Sequence, residues 1–171
     1  AGFAHQQTLQ IHTNGTVYNS DLAHMLTHYR SVNFAVSIDG VGAKNDYLRH
    51  PSEFGHVIDV LSKYREDFAS HAHVNFYIRY TATPLSVWDL DKYCDYFDHL
   101  GIPYRLNNYA VDEPHNNIQY MPADIKQKVF DHLHRLQHFD MENLLKFMQG
   151  TPADHLQHQM AFWKQTGRAH V

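Results

Sequence analysis

Apolar residues alternate with polar ones in short runs, and between those runs they recur at every third or fourth position. The run Leu9-Gln10-Ile11-His12 predicts a strand, and Val32-Asn33-Phe34-Ala35-Val36 predicts a second. Between them Leu22, Met25, Leu26 and Tyr29 fall at helical spacing. Each strand ends in a polar corner with a glycine: Thr13-Asn14-Gly15-Thr16 after the first, Ser37-Ile38-Asp39-Gly40 after the second. Strand, corner, helix, strand, corner is the layout of an α/β unit whose loops emerge on one edge. Ligands bind at that edge, beyond the carboxyl ends of parallel strands. The polar residues of both corners are therefore expected to face one site.

The rhythm continues. Pro51-Ser52 announces a helix with Ser52 as N-cap, and Phe54, Val57, Ile58 and Leu61 form its apolar stripe. Val74 to Thr81 is rich in β-branched and aromatic residues and reads as a third strand, which Thr83-Pro84 ends. Ser86 is placed to cap a helix carrying Leu90, Tyr93, Cys94, Phe97 and Leu100, with Gly101 at its C-terminus. Ile102 to Tyr109 predicts a fourth strand. Alternating strands and helices predict an α/β fold with a parallel sheet and right-handed crossovers.

Beyond this the alternation breaks. Val111 to Asn117 is a polar loop, and Pro122 suits the first turn of a helix bearing Ile125, Val129, Leu133 and Leu136. A helix follows from Met141 to Met148, stopped by Gly150, and Thr151-Pro152 opens a last one through Met160 and Trp163. Residues 1–110 are thus expected to hold the strand-helix repeats, and residues 111–171 a loop and C-terminal helices.

Composition narrows the classes. The chain has 171 residues, 43% of them hydrophobic, enough for one domain with a real core. A formal net charge of -4 argues against an electrostatic nucleic-acid binder. There is no apolar stretch long enough for a membrane span, and no signal-peptide pattern. Cys94 is the one cysteine, so no intrachain disulfide is possible, and a cytoplasmic protein is expected. On the apolar stripe of its helix, Cys94 reads as a buried, inert thiol. The 16 histidines include the pairs His71/His73, His132/His134 and His155/His158, but no zinc-protease spacing singles one out. They read as solvated positions on helix faces rather than as a metal site.

Thr13, Asn14, Ser37 and Asp39 offer mixed donors and acceptors suited to an amino-acid group, a ribose or a phosphate. The alternative is that they only turn the chain, since Thr-Asn-Gly is a common turn. Arg49 follows the second corner at the next helix entrance. There it can pair bidentately with a ligand carboxylate, or it is an exposed surface arginine.

Taken together, Ile11 to Thr16, Val36 to Gly42 and Asp46-Tyr47-Leu48-Arg49 resemble the middle of a radical S-adenosylmethionine enzyme. The nearest variety is the group with a "twitch" or similar C-terminal extension. Val111-Asp112-Glu113-Pro114 and Met121 to Lys126 are similar too, so the resemblance runs over nearly the whole chain. It implies a partial (β/α) barrel with S-adenosylmethionine and a [4Fe-4S] cluster at its open top. The cluster reduces the sulfonium, and the resulting 5′-deoxyadenosyl radical abstracts hydrogen from a small-molecule or peptide substrate; an electron donor is the implied partner. By the same resemblance, Ser37 and Arg49 hold the cofactor's methionine carboxylate. Asp39, Thr13 and Asn14 line its amino, ribose or substrate side, and Thr81 at the third strand's end borders the same cavity.

One departure matters. The family holds its cluster with a Cys-x3-Cys-x2-Cys loop after its first strand, and a lone Cys94 on a downstream helix cannot replace three thiolates. The first strand here matches the family's third. A piece of a longer enzyme is therefore expected, in which the cluster is ligated elsewhere. The competing reading is a non-catalytic α/β module binding a small molecule or a partner. A phosphate-binding α/β enzyme is disfavoured because no glycine-rich phosphate loop appears. An unclosed sheet with exposed edges also predicts self-association.

Overall fold

The computed structural model describes residues 3–110 and 115–150. Residues 111–114 of the predicted loop, the last helix from Thr151 and the pair His155/His158 lie outside the described residues. Four parallel strands, β1 (Thr8–Thr13), β2 (Ser31–Ser37), β3 (Val74–Ala82) and β4 (Tyr104–Tyr109), form one sheet in the order β1-β2-β3-β4. Among the described residues the sheet is not closed, and β1 and β4 are its edges. The protein has an incomplete β/α fold, as the alternation predicts.

Helices α1 (Ser20–Leu26), α2 (Ala43–Leu48), α3 (Phe54–Phe68) and α4 (Leu90–Leu100) connect the strands, and α5 (Ala123–Leu133) and α6 (Met141–Gln149) follow β4. None of the helices among the described residues is long and apolar enough to cross a membrane.

The two faces of the sheet differ because side chains alternate along each strand. One face carries Val32, Phe34, Val36, Ile78, Tyr80 and Leu106, each fully buried. Helix α3 supplies Val57, Leu61, Tyr64 and Phe68 against it, and Phe34 lies 4.8 Å from the Tyr64 ring and 5.3 Å from Phe68. The other face carries Gln10, His12, Asn33, Asn75, Tyr77, Arg79 and Arg105, none of them buried. Between Arg79 and Thr81 the register with β4 slips: Arg79 faces Arg105, but Thr81 faces Asn108. Asn107 is the extra residue of this bulge, and Asn108 is thereby returned to the polar face.

Several local expectations change. Helix α1 ends at Leu26, so Tyr29 lies beyond it, and Met25 is exposed while Leu22 and Leu26 pack on the core. Ser52 does not cap α3. The carboxylate of Asp46 in α2 instead accepts from the Phe54 N–H at 2.5 Å. Ser86 does not cap α4 either. Its hydroxyl donates to the Thr81 carbonyl and accepts from the Thr83 N–H, each at 2.9 Å, and a short 3-10 turn at Val87–Asp89 precedes the helix. Ser86 spends its hydroxyl on neighbouring backbone groups, whereas Asp46 takes the role that Ser52 leaves open. Gly101 does close α4, with φ +61. Leu136 falls outside α5, but still packs against the core.

Cys94 is buried on α4, and burial pushes its thiol up to about 11. At neutral pH it is a packed thiol and not a nucleophile. Helix α6 is fastened to the sheet by Asp140, whose buried carboxylate accepts from the Leu106 N–H at 2.9 Å, and by Phe147 stacked 4.1 Å from Tyr109.

Candidate functional site

A cleft of about 710 Å³ opens beyond the carboxyl ends of the strands. Every corner contributes to it: Asn14 and Thr16 after β1, Asp39 after β2, Arg49 to Ser52 between α2 and α3, Thr81 and Thr83 at β3, and Ala110 after β4.

The first corner is shaped by Gly15. Its φ is +70, and an added Cβ would sit 2.7 Å from Val36 and 3.1 Å from Val57, so a side chain is excluded by conformation and by space. Thr13 accepts from the Gly15 N–H at 3.2 Å, and Asn14 accepts from both the N–H and the hydroxyl of Thr16. These are turn-forming bonds. Asn14 borders the cleft; Thr13 does not.

The second corner places a charged pair. Asp39 and Arg49 approach to 2.7 Å, with Oδ2 against Nη2. The other carboxylate oxygen accepts from the Thr81 N–H at 2.7 Å, which ties the β2 corner to β3. Buried Asn45 of α2 accepts from the Asp39 N–H at 3.2 Å. The positive φ of this corner falls at Gly42, φ +59, whereas Gly40 is needed because a Cβ would meet Lys44 at 2.9 Å and the Asn45 backbone nitrogen at 3.1 Å.

Burial pushes the Asp39 carboxyl above its ordinary range, and Arg49 and the Thr81 amide pull it down without cancelling that effect. The pair is therefore under-compensated for its desolvation. Two further buried polar atoms of cleft residues, Arg49 Nε and Ser52 Oγ, have no hydrogen-bond partner among the described residues. Buried polar atoms without partners cost stability, and a bound polar ligand offsets that cost.

Of the six residues expected at one site, Asn14, Asp39, Arg49 and Thr81 line the cleft. Ser37 does not; it ends β2 on the polar face, in register with Arg79. Sequence reasoning passed over Ser52 and Thr83, reading the first as a cap and the second as a strand stop. Thr16, in the quoted corner motif, was the one missed residue that carried a signal.

A cluster of three or more His, Cys, Asp or Glu side chains suited to a metal ion does not occur among the described residues. Cys94 lies in the core against α4 and β4 neighbours, so this chain's residues do not fit an iron-sulfur cluster. They do fit a zwitterionic ligand in the cleft, given an under-compensated carboxylate, a guanidinium with an unused buried N–H and several hydroxyls.

No protein-family model matches the chain, and no curated protein does. Among solved structures, native anSMEcpe with bound AdoMet is 15% identical, with a TM-score of 0.49 over 83% of this chain and 38% of that one. Native anSMEcpe with bound AdoMet and Cp18Cys peptide is 16% identical, with a TM-score of 0.49 over 83% of this chain and 39% of that one. The chain thus spans under two-fifths of those proteins' length. A likeness at that level says nothing of what the cleft holds.

Proposed function

We propose that this chain is the S-adenosylmethionine-binding and substrate-lining part of a radical S-adenosylmethionine enzyme of the twitch-like group. Residues 1–110 form the partial barrel, and residues 111–171 carry it toward a C-terminal extension. The observation that carries the reading is the Asp39–Arg49 pair in the cleft wall, under-compensated and beside unpartnered Arg49 Nε. It rests equally on the motif resemblance from Ser37 to Arg49.

In this reading Arg49 turns its free N–H donors to the cofactor's carboxylate, and Asp39 accepts from its ammonium. Asn14 and Thr81 offer hydrogen bonds to the ribose or the substrate. Ser37, one residue outside the cleft wall, assists the carboxylate from the strand end. The cofactor is the source of the hydrogen-abstracting group. The [4Fe-4S] cluster must draw its thiolates from outside this chain, because the chain has one cysteine and that one is buried. A cytoplasmic location, an electron donor as partner and self-association through the open sheet belong to the same proposal.

Titration calorimetry of the chain with S-adenosylmethionine provides the test. Arg49→Ala is expected to weaken binding by tenfold or more, the loss of about 1.5–3 kcal/mol for a charged hydrogen bond. Affinity is also expected to fall with decreasing pH as Asp39 takes up a proton, beginning above the ordinary carboxylate range because its folded value is raised. Equal affinity in both proteins sinks the assignment. The second reading, a non-catalytic α/β binding module, is favoured by the buried, unreactive Cys94. A Cys-x3-Cys-x2-Cys loop in the reading frame upstream of Ala1 rules it out.

A further inference from the structure

Among the described residues, the strands' polar face holds cations without anions. The chain is acidic, with 18 Asp and Glu against 14 Lys and Arg, yet none of the acidic residues lies in any of the four strands. Two arginines do. Arg79 of β3 and Arg105 of β4 are register partners on the same face, and Ser37 of β2 is level with them.

Neither arginine has an ion-pair partner among the described residues. Arg79 donates through Nη1 to His12 Nδ1 and through Nη2 to Asn108 Oδ1, each at 2.5 Å. It thereby bridges the two edge strands across the face. Both acceptors are uncharged in this arrangement, since a guanidinium only donates and His12 Nδ1 must then accept. Asn108 in turn donates to the Thr81 hydroxyl at 2.7 Å. Thr81 lines the cofactor cleft, so the arginine sits next to that cleft and is fixed in place. Arg105 is held by rings, with its guanidinium carbon 4.8 Å from the Phe139 centroid and 6.0 Å from that of Tyr77. These contacts satisfy donors and faces without neutralising charge. Like charges on adjacent strands repel, and a bound anion reverses the sign of that interaction.

We propose that the polar face of the sheet, centred on Arg79 with Asn108 and Arg105 at its sides, binds an oxyanion of the substrate, a carboxylate or a phosphate. Arg79 spends two of its five N–H donors on His12 and Asn108, and the remaining fork is the specificity element. The assignment of the anion to a substrate rests on the cofactor reading of the cleft, whereas the anion site itself does not.

The test is an NMR titration of the 15N-labelled chain with inorganic phosphate and, separately, acetate, at low ionic strength and without S-adenosylmethionine. Saturable shifts are expected at the Arg79 Nε–H and at the amides of Ser37 and Asn108, with at least one of the two anions. Arg79→Gln is expected to weaken the response roughly tenfold or more, and Arg79→Lys to weaken it less, because charge persists while the fork is lost. Arg49→Ala is expected to leave it unchanged, which separates this site from the cofactor cleft. Tighter phosphate marks a phosphorylated substrate, and tighter acetate a carboxylate. No saturable shift with either anion, equal responses in wild type and Arg79→Gln, or loss of the response in Arg49→Ala overturns the proposal. Unchanged amide dispersion in each variant shows that the fold is retained.

Discussion

The two faces of the sheet are built from the same strands and obey opposite rules. Phe34 and Asn33 are adjacent residues of β2, yet one lies fully buried among Tyr64, Phe68 and Phe76 and the other faces the open side. On the covered face, aromatic and branched side chains interlock with α3 and α4. On the open face, amides, a histidine and Arg79 bond to one another across strands, as Asn75 does to Asn33 at 2.9 Å, while Arg105 lies over aromatic rings. The covered face holds the strands together, and the open face carries the groups proposed to bind an anion. A sheet with both faces apolar would need a second layer of helices; among the described residues this one is covered by helices on one side.

That contrast can be broken by substitution. The largest loss is expected for Phe34→Ala, about 3–5 kcal/mol, because a buried ring leaves a cavity among three other aromatic rings. Chemical denaturation with a two-state fit measures it. Gly15→Ala follows, at about 2–4 kcal/mol, since the left-handed backbone and the close approach of Val36 and Val57 act together. In that variant the first corner shifts, and S-adenosylmethionine affinity is expected to fall with stability. Asn75→Ala on the open face marks the small end, within about 0.5 kcal/mol, because its one bond to Asn33 is exposed. A loss there as large as at Phe34 would mean that the polar face carries the fold as well, and the division of labour would fail.

The element order, the parallel sheet and the burial of Cys94 were legible along the chain because they depend on local periodicity. In a run such as Val74 to Thr81 every second side chain turns to the same face, and the stripe on α3 fixes which side faces the sheet. Caps were less legible. Ser52 and Ser86 stand where caps are expected, but Asp46 and a 3-10 turn occupy those roles through contacts from elsewhere.

The corners divide in the same way. Motif spacing brought Asn14, Asp39, Arg49 and Thr81 to one rim, since parallel strands deliver their carboxyl ends together. It also suggested that Asp39 and Arg49 act separately on a ligand, whereas folding sets them 2.7 Å apart. Arg79 gave no motif at all. Its importance comes from lying between His12 and Asn108, residues 67 and 29 positions away along the chain.

Sequence by itself therefore determined the layers and the edge at which the loops gather, because hydrophobic alternation and helical period are properties of neighbouring residues. Only the tertiary structure decided which charges are paired and which stand unneutralised, because Coulomb interaction and desolvation depend on distance in space. For this protein that distinction separates Arg49, tied to Asp39 at the cleft, from Arg79, held by neutral acceptors on the open face.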